Sequence, residues 1–423
     1  MDGLSRSIRF AGRGVASLAL LALLVACDRG RGASEDAAPP ESSAPALAAW
    51  PAFPTGDAKS TIDAATRRPI PTRIGGGLDT ASVLKAAIER GSAVAGWNAI
   101  DAWIGARVKA SDGAGRSHWV LWGTRHDSAL PIDAFRRLIA PTSSVAWTRA
   151  GVEQLRADGH WIGVAPEEQK GDDASIALWQ LNGARSGLDE IIASQKRDDY
   201  AAWKLGYIDS VVDLVIAARA TNRPVAGCDM PVPLQKRATA DAENMLRLRE
   251  LHCALATKRH LEQVKPPHHI AMLWGENHVG PDGFMRFLDP DIDVTAIRVA
   301  TKVEGFDVID PILVPPSSPD ADALVVLADP NAARHLDRIR VKEKATESTF
   351  ASAKPIEVRV DARAISVTTS PRAEKLDAGD HLLAIVRGDR TMVAALPLAK
   401  DESVTLKLEV VEPEITLTYA PAK

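Results

Sequence analysis

Ile270-Ala271-Met272-Leu273-Trp274-Gly275-Glu276-Asn277-His278 decides how this chain is read. An apolar run of five residues closed by a glycine is too short for a helix and suits a strand buried on both faces. The pattern recurs at Trp119-Val120-Leu121-Trp122-Gly123-Thr124-Arg125-His126, and shorter apolar runs lie at Val225 to Gly227 and Val294 to Val299. Between these runs the spacing turns helical. Tyr207, Val211, Val215 and Ala218 share one face of a stretch ending at Arg219, and Met245, Leu248 and Leu255 share one face of Ala240 to Gln263. Strands alternating with helices predict an α/β fold whose parallel or mixed central sheet is covered by helices.

Outward from this core, Ser82 to Arg90 reads as a helix ended by Gly91, and Ala323 to Leu327 as one more buried strand. Beyond about residue 345 the pattern changes to period two: Ile356, Val358 and Val360, then Val404, Leu406, Leu408 and Val410, then Ile415, Leu417 and Tyr419. Leu382 to Val386 and Met392 to Leu396 flank Arg387-Gly388-Asp389-Arg390, which reads as a hairpin turn rather than an adhesion motif. All ten Trp lie before this part of the chain. The expected organisation is an α/β domain over 49–345 and a small β-sandwich-like domain over 346–423.

The 423 residues are enough for two to three domains, and 46% hydrophobic with 25% charged residues sits near globular averages. A net charge of -4 offers no basic excess for phosphates, so nucleic acid is not an expected partner. Arg6, Arg9 and Arg13 precede an apolar run from Val15 to Ala26 that is too short to span a bilayer and suits a signal peptide over 1–26. Leu24-Val25-Ala26-Cys27 resembles the bacterial lipobox, which implies a lipid on Cys27, membrane anchoring and a periplasm-facing place in the bacterial cell envelope. Residues 27–48 are rich in Pro, Ser, Ala and charge and form a flexible tether. Cys228 and Cys253 remain; in an oxidising compartment they pair as a disulfide or stay as two buried thiols, and sequence leaves both open.

Chemistry points to the two Gly-x-x-His motifs, Gly123 to His126 and Gly275 to His278. Each ends a strand and opens a helical turn, and in an open α/β sheet such turns meet at the carboxyl ends of the strands, where ligands bind. His126, Asp127 and His278 together form a candidate metal-ligand set, with Glu276 placed to move protons. The competing reading has both histidines simply bonded to loop backbone. His268-His269, after Pro266-Pro267, reads as a solvated turn. A Gly-x-Ser-x-Gly elbow, a phosphate-binding loop and a His-Glu-x-x-His helix are all lacking from the sequence.

These motifs resemble the superfamily that contains the ChaN-like haem-binding uptake proteins, the TraB and Tiki proteins and the erythromycin-esterase-like proteins. Over about residues 110 to 330 the order is ChaN-like: Gly123-Thr124-Arg125-His126-Asp127, then a Tyr207-led helix followed by Arg223-Pro224-Val225-Ala226-Gly227-Cys228-Asp229-Met230-Pro231, then Gly275 to His278 with Asp282-Gly283 and Leu288. The resemblance implies a site lined by His126, Tyr207 and His278 that binds haem or a divalent metal ion, with Tyr207 matching the family's tyrosine. Two departures stand out. Thr124 replaces the usual Glu, and the strand-like Ser144 to Thr148 lacks the Glu that many members carry, Glu153 lying further on. The first expectation is therefore an anchored protein binding haem, a metal ion or another small ligand. A metal-dependent hydrolase using Glu276 and a non-catalytic scaffold presenting the β-domain to a protein partner are the alternatives.

Overall fold

A computed structural model describes residues 57–70, 79–125, 128–153, 210–211, 213–214, 217–218, 225–230, 239, 241–317 and 322–329. In the C-terminal part it describes 339–343, 356–367, 374–376, 379–387, 389–398, 404–411 and 414–421. The chain combines a mixed eight-stranded sheet, flanked by helices, with further β-sheets built by the C-terminal strands. Among the described residues no helix is long and apolar enough to cross a membrane.

The large sheet contains β1 (Val94–Ala95), β2 (His118–Thr124), β3 (Arg149–Val152), β4 (Val225–Gly227), β5 (His269–Gly275), β6 (Asp293–Ala300), β8 (Ile312–Val314) and β9 (Ala323–Val326). Their order is β1-β8-β9-β6-β2-β5-β3-β4. The six strands from β9 to β4 are parallel, and β8 runs antiparallel beside β9. β2 and β5 are apolar from Trp119 to Trp122 and from Ile270 to Trp274 because both faces are covered. Alternate residues go to opposite cores: Val120 and Trp122 pack with Ile100 and Ile104 of α3 (Trp97–Gly113) and Phe135 of α4 (Leu130–Leu138). Trp119 and Leu121 pack instead with Ile62 of α1 (Ala58–Ala65) and Leu251 of α5 (Ala242–Leu261). Helix starts follow their caps, with Asp57 accepting from the Ser60 N–H, Asp79 from Ser82 at the head of α2 (Thr80–Arg90), and Asp241 from Asn244.

Two local expectations are corrected. Leu255, expected on the core face of α5, is 44% exposed, while Leu248 is buried as expected. The segment Ser144 to Thr148 is not a strand; β3 starts only at Arg149, because Trp147 is turned to donate its Nε1–H to the Leu138 carbonyl and ties this stretch to α4.

In the C-terminal part, β11 (Ile356–Val360), β12 (Arg363–Val367), β14 (Gly379–Arg387) and β15 (Arg390–Leu398) form one antiparallel set. The expected hairpin is β14-β15, with Arg387 opposite Arg390. A second sheet holds β10 (Ile339–Glu343), β13 (Glu374–Leu376), β16 (Val404–Val411) and β17 (Glu414–Pro421). The strand β7 (Phe306–Val308), from the N-terminal side of residue 345, pairs parallel with β15. A shared core follows, in which Leu84, Ile88 and Val326 meet Leu382, Ala384 and Val393.

At the amino-terminal edge of the large sheet, His268 and His269 are not a solvated turn. His269 opens β5, with Nε2 2.6 Å from Asp112 Oδ1 and Nδ1 3.0 Å from the Ala146 carbonyl. Beside them His118 is buried, with Nδ1 2.7 Å from Ser111 Oγ and Nε2 2.9 Å from Thr295 Oγ1. Burial, against the weaker pull of Asp293, lowers its pKa from 6.5 to about 4. A depressed histidine binds its proton more readily in the unfolded chain, so its stabilisation is complete above pH 6.5 and is lost as pH falls towards 4. At about 1.4 kcal/mol per unit, the loss approaches 3 kcal/mol. Urea titrations at pH 7 and pH 4 are expected to show this drop, and His118→Gln to flatten it; an unchanged slope would assign the acid sensitivity elsewhere.

Candidate functional site

The two Gly-x-x-His motifs leave adjacent parallel strands at the same edge, since Gly123 is opposite Trp274 and Thr124 opposite Gly275. Gly123 has no room for a side chain: a Cβ there would lie 2.6 Å from Val279 Cγ2 and 3.2 Å from the Ile297 carbonyl. The turn after the second motif therefore closes directly onto the end of the first. Gly283 closes that turn, and a Cβ on it would meet the His278 carbonyl oxygen at 2.3 Å. The Asp282-Gly283 pair thus fixes the backbone that carries His278.

His278 is 4% exposed and packs edge-on against Trp274, ring centroids 4.9 Å apart. Its Nδ1 lies 2.7 Å from Glu250 Oε1, an atom that also accepts from Arg247 Nη1 at 2.6 Å. An ionised carboxylate only accepts, so Nδ1 carries the proton in this bond and Nε2 is the ring's working atom. Nε2 faces Glu153 Oε1 at 3.6 Å. Glu153 follows β3 directly and is 1% exposed; its Oε2 accepts the Gly275 N–H at 2.6 Å and its Oε1 accepts from Arg249 Nη2 at 2.7 Å. The same guanidinium forks onto Asp229, just past β4, with bonds of 2.9 and 2.6 Å. Burial opposes the charge of Arg249, but Asp229 and then Glu153 raise its pKa above the ordinary value.

Three strand ends and one helix meet here. β3 supplies Glu153, β4 supplies Asp229 and β5 supplies His278, while α5 brings Arg247, Arg249 and Glu250 across them. Cys228 is joined to Cys253, Cα atoms 4.5 Å apart, which fastens α5 beside the end of β4. Arg249 and Cys253, one turn apart on α5, grip the consecutive Asp229 and Cys228. Three buried carboxylates (Glu153, Asp229 and Glu250) meet two arginines (Arg247 and Arg249) here. Glu250 Oε2 is buried without a hydrogen-bond partner.

Of the residues singled out from the sequence, His278 is at the centre of this cluster. Glu276 points outward, its side chain 41% exposed and its Oε1 3.8 Å from Arg125 Nε, so the two motif turns touch through this pair. Asp282 lies 3.8 Å from Arg247 Nη2. His126, Asp127, Tyr207 and Cys27 lie outside the described residues. Sequence reasoning passed over Glu153 because the strand before it was placed five residues early, and it passed over Glu250 and the two arginines because nothing marks them on a long charged helix. Among the described residues no three His, Cys, Asp or Glu side chains are grouped to hold a metal ion.

No family profile matches the chain, and no curated protein matches it. Among solved structures the chain is similar to the type III effector HopBA1, at 12% identity over 50% of this chain and 88% of the effector, with a TM-score of 0.31.

Proposed function

We propose that His278 Nε2 and Glu153, at the carboxyl ends of β5 and β3, bind a metal ion, with His126 and Asp127, which follow β2 in sequence, as the other ligands. The observation that carries this is the oriented histidine: Glu250 holds Nδ1, and Nε2 is turned to a buried carboxylate. A carboxylate behind an imidazole is the usual support of a metal-ligating histidine. The 3.6 Å from Nε2 to Glu153 Oε1 is long for a hydrogen bond and close to the roughly 3.4 Å between two ligands on a tetrahedral ion.

An ion suits this geometry better than a porphyrin, because His278 is buried and its Nε2 faces Glu153. A metal bound here would supply Lewis acidity and a more acidic bound water. The chain's own residues do the rest: Glu250 fixes the imidazole, Arg249 holds Glu153 in place, and the arginines restrain the carboxylates. The exposed Glu276 at the mouth supports a second reading, a hydrolase in which it carries protons between the crevice and solvent. The wider proposal is a ChaN-like α/β domain with a sandwich-like C-terminal unit, anchored in the bacterial envelope through Cys27.

Metal analysis and calorimetric titration of the purified protein with Zn2+ and Mn2+ test the site. One equivalent is expected to bind, with His278→Ala and Glu153→Gln each weakening affinity at least about tenfold. An ion-free protein, or variants with unchanged affinity, would overturn the proposal. A haem titration whose Soret shift disappears in Tyr207→Phe but persists in His278→Ala would move the reading to haem.

A further inference from the structure

We infer that a second cavity, at the opposite edge of the large sheet, binds an uncharged and largely apolar small molecule. The cavity is about 800 Å³, within the range of ligand sites. Ser117, His268 and Ile292 line it, and each immediately precedes the first residue of β2, β5 or β6, so it opens at the amino-terminal ends of the strands. His278 and Glu153 are at the other ends, and neither lines it.

Its walls are α1 and α5. Ala65 on α1 and Ala254 on α5 face the space, with Trp119, Phe287 and Leu288 around it. Small residues on both helices keep open a volume that longer side chains would fill, and an empty apolar space of this size forfeits packing on every wall. A second observation converges on the same place. The large hydrophobic side chains exposed among the described residues are Leu255 at 44% and Val264 at 39%, and both line this cavity. Leu255 is the residue that the periodicity of α5 assigns to the core, and the structure turns it to the cavity instead.

The rim sets the charge of the occupant. Lys258 Nζ is bound to Asp289 Oδ2 at 2.7 Å, and Arg67, Glu262 and Asp291 complete the charged lining. Two cations against three anions leave one negative charge at the rim, which disfavours an anionic ligand. His268 offers one polar handle, a buried Nδ1 without a hydrogen-bond partner, and burial and the neighbouring His269 lower its pKa, which keeps the ring neutral. The chemistry that fits is an apolar body, ring or chain, with a single hydroxyl or carbonyl for His268.

The test uses the purified full-length protein and the uncharged fluorophore N-phenyl-1-naphthylamine. Saturable fluorescence enhancement at one equivalent is expected, at least about tenfold weaker in Leu255→Asp, which puts a charge at an exposed wall position without disturbing the core, and in Ala254→Phe, which fills the space. The anionic 8-anilinonaphthalene-1-sulfonate is expected to bind more weakly. Absence of saturable binding, or binding indifferent to Leu255→Asp, would overturn the proposal. Anionic binding as tight as neutral would overturn the assignment of an uncharged ligand.

Discussion

Replacing Arg249 with Met is expected to destabilise the protein by about 3–5 kcal/mol, the usual effect of removing one partner from a buried ion pair. Its guanidinium satisfies Asp229 and Glu153 together, and these carboxyl groups are 0% and 1% exposed. Without the arginine the two buried carboxylates lose the guanidinium that bridges them, and either they take up protons or the ends of β3 and β4 move apart. Lys at this position keeps the charge but not the fork, so it should recover only part of the loss. If uncompensated charge is the cause, adding Asp229→Asn and Glu153→Gln to Arg249→Met should regain stability, since it is the unpaired charge that destabilises rather than the lost bond. Urea denaturation of the three variants decides it: a loss below about 1 kcal/mol for Arg249→Met would mean that water reaches these carboxylates.

The legible part of this architecture is the part written in periodicity. Trp119 to Trp122 and Ile270 to Trp274 are apolar at every position, and only a strand covered on both faces explains that, so β2 and β5 could be placed and their turns paired. β3 hid because its four residues include Arg149 and Gly151, which break the apolar run, while Ser144 to Thr148 beside it imitates a strand. That single displacement put Glu153 too far past the expected strand to be counted in the site. The α5 cluster hid for a different reason. Arg247, Arg249 and Glu250 sit in a helix full of charged residues, and burial of an ion pair leaves no trace in composition, because the helix that buries it and the helix that solvates it use the same letters. The solvent-facing position of Leu255 was equally hidden, since periodicity assigns a face but not the depth of its cover.

Loss of the Cys228–Cys253 bond is the other large effect to expect. The cysteines are 25 residues apart, and closing a loop of that length restricts the unfolded chain by about 3.5 kcal/mol in the chain-entropy account. Cys228→Ala with Cys253→Ala should lower the unfolding free energy by about that amount. The geometry demands more than a stability change, however. Cys228 precedes Asp229, and Cys253 is one turn beyond Arg249, so the covalent link and the salt bridge clamp the same two elements within a few ångströms. His252 adds a third tie through Nδ1, 3.1 Å from the Cys228 carbonyl. Restraints that share both partners do not act independently: once one clamp is open, the second holds less native structure. Removing the disulfide in an Arg249→Met background should therefore cost at least about 0.5 kcal/mol less than removing it from the wild-type protein. Strict additivity in that double-mutant cycle would mean that the disulfide acts on the unfolded chain alone and that α5 keeps its seat, and with it Glu250 behind His278, by packing.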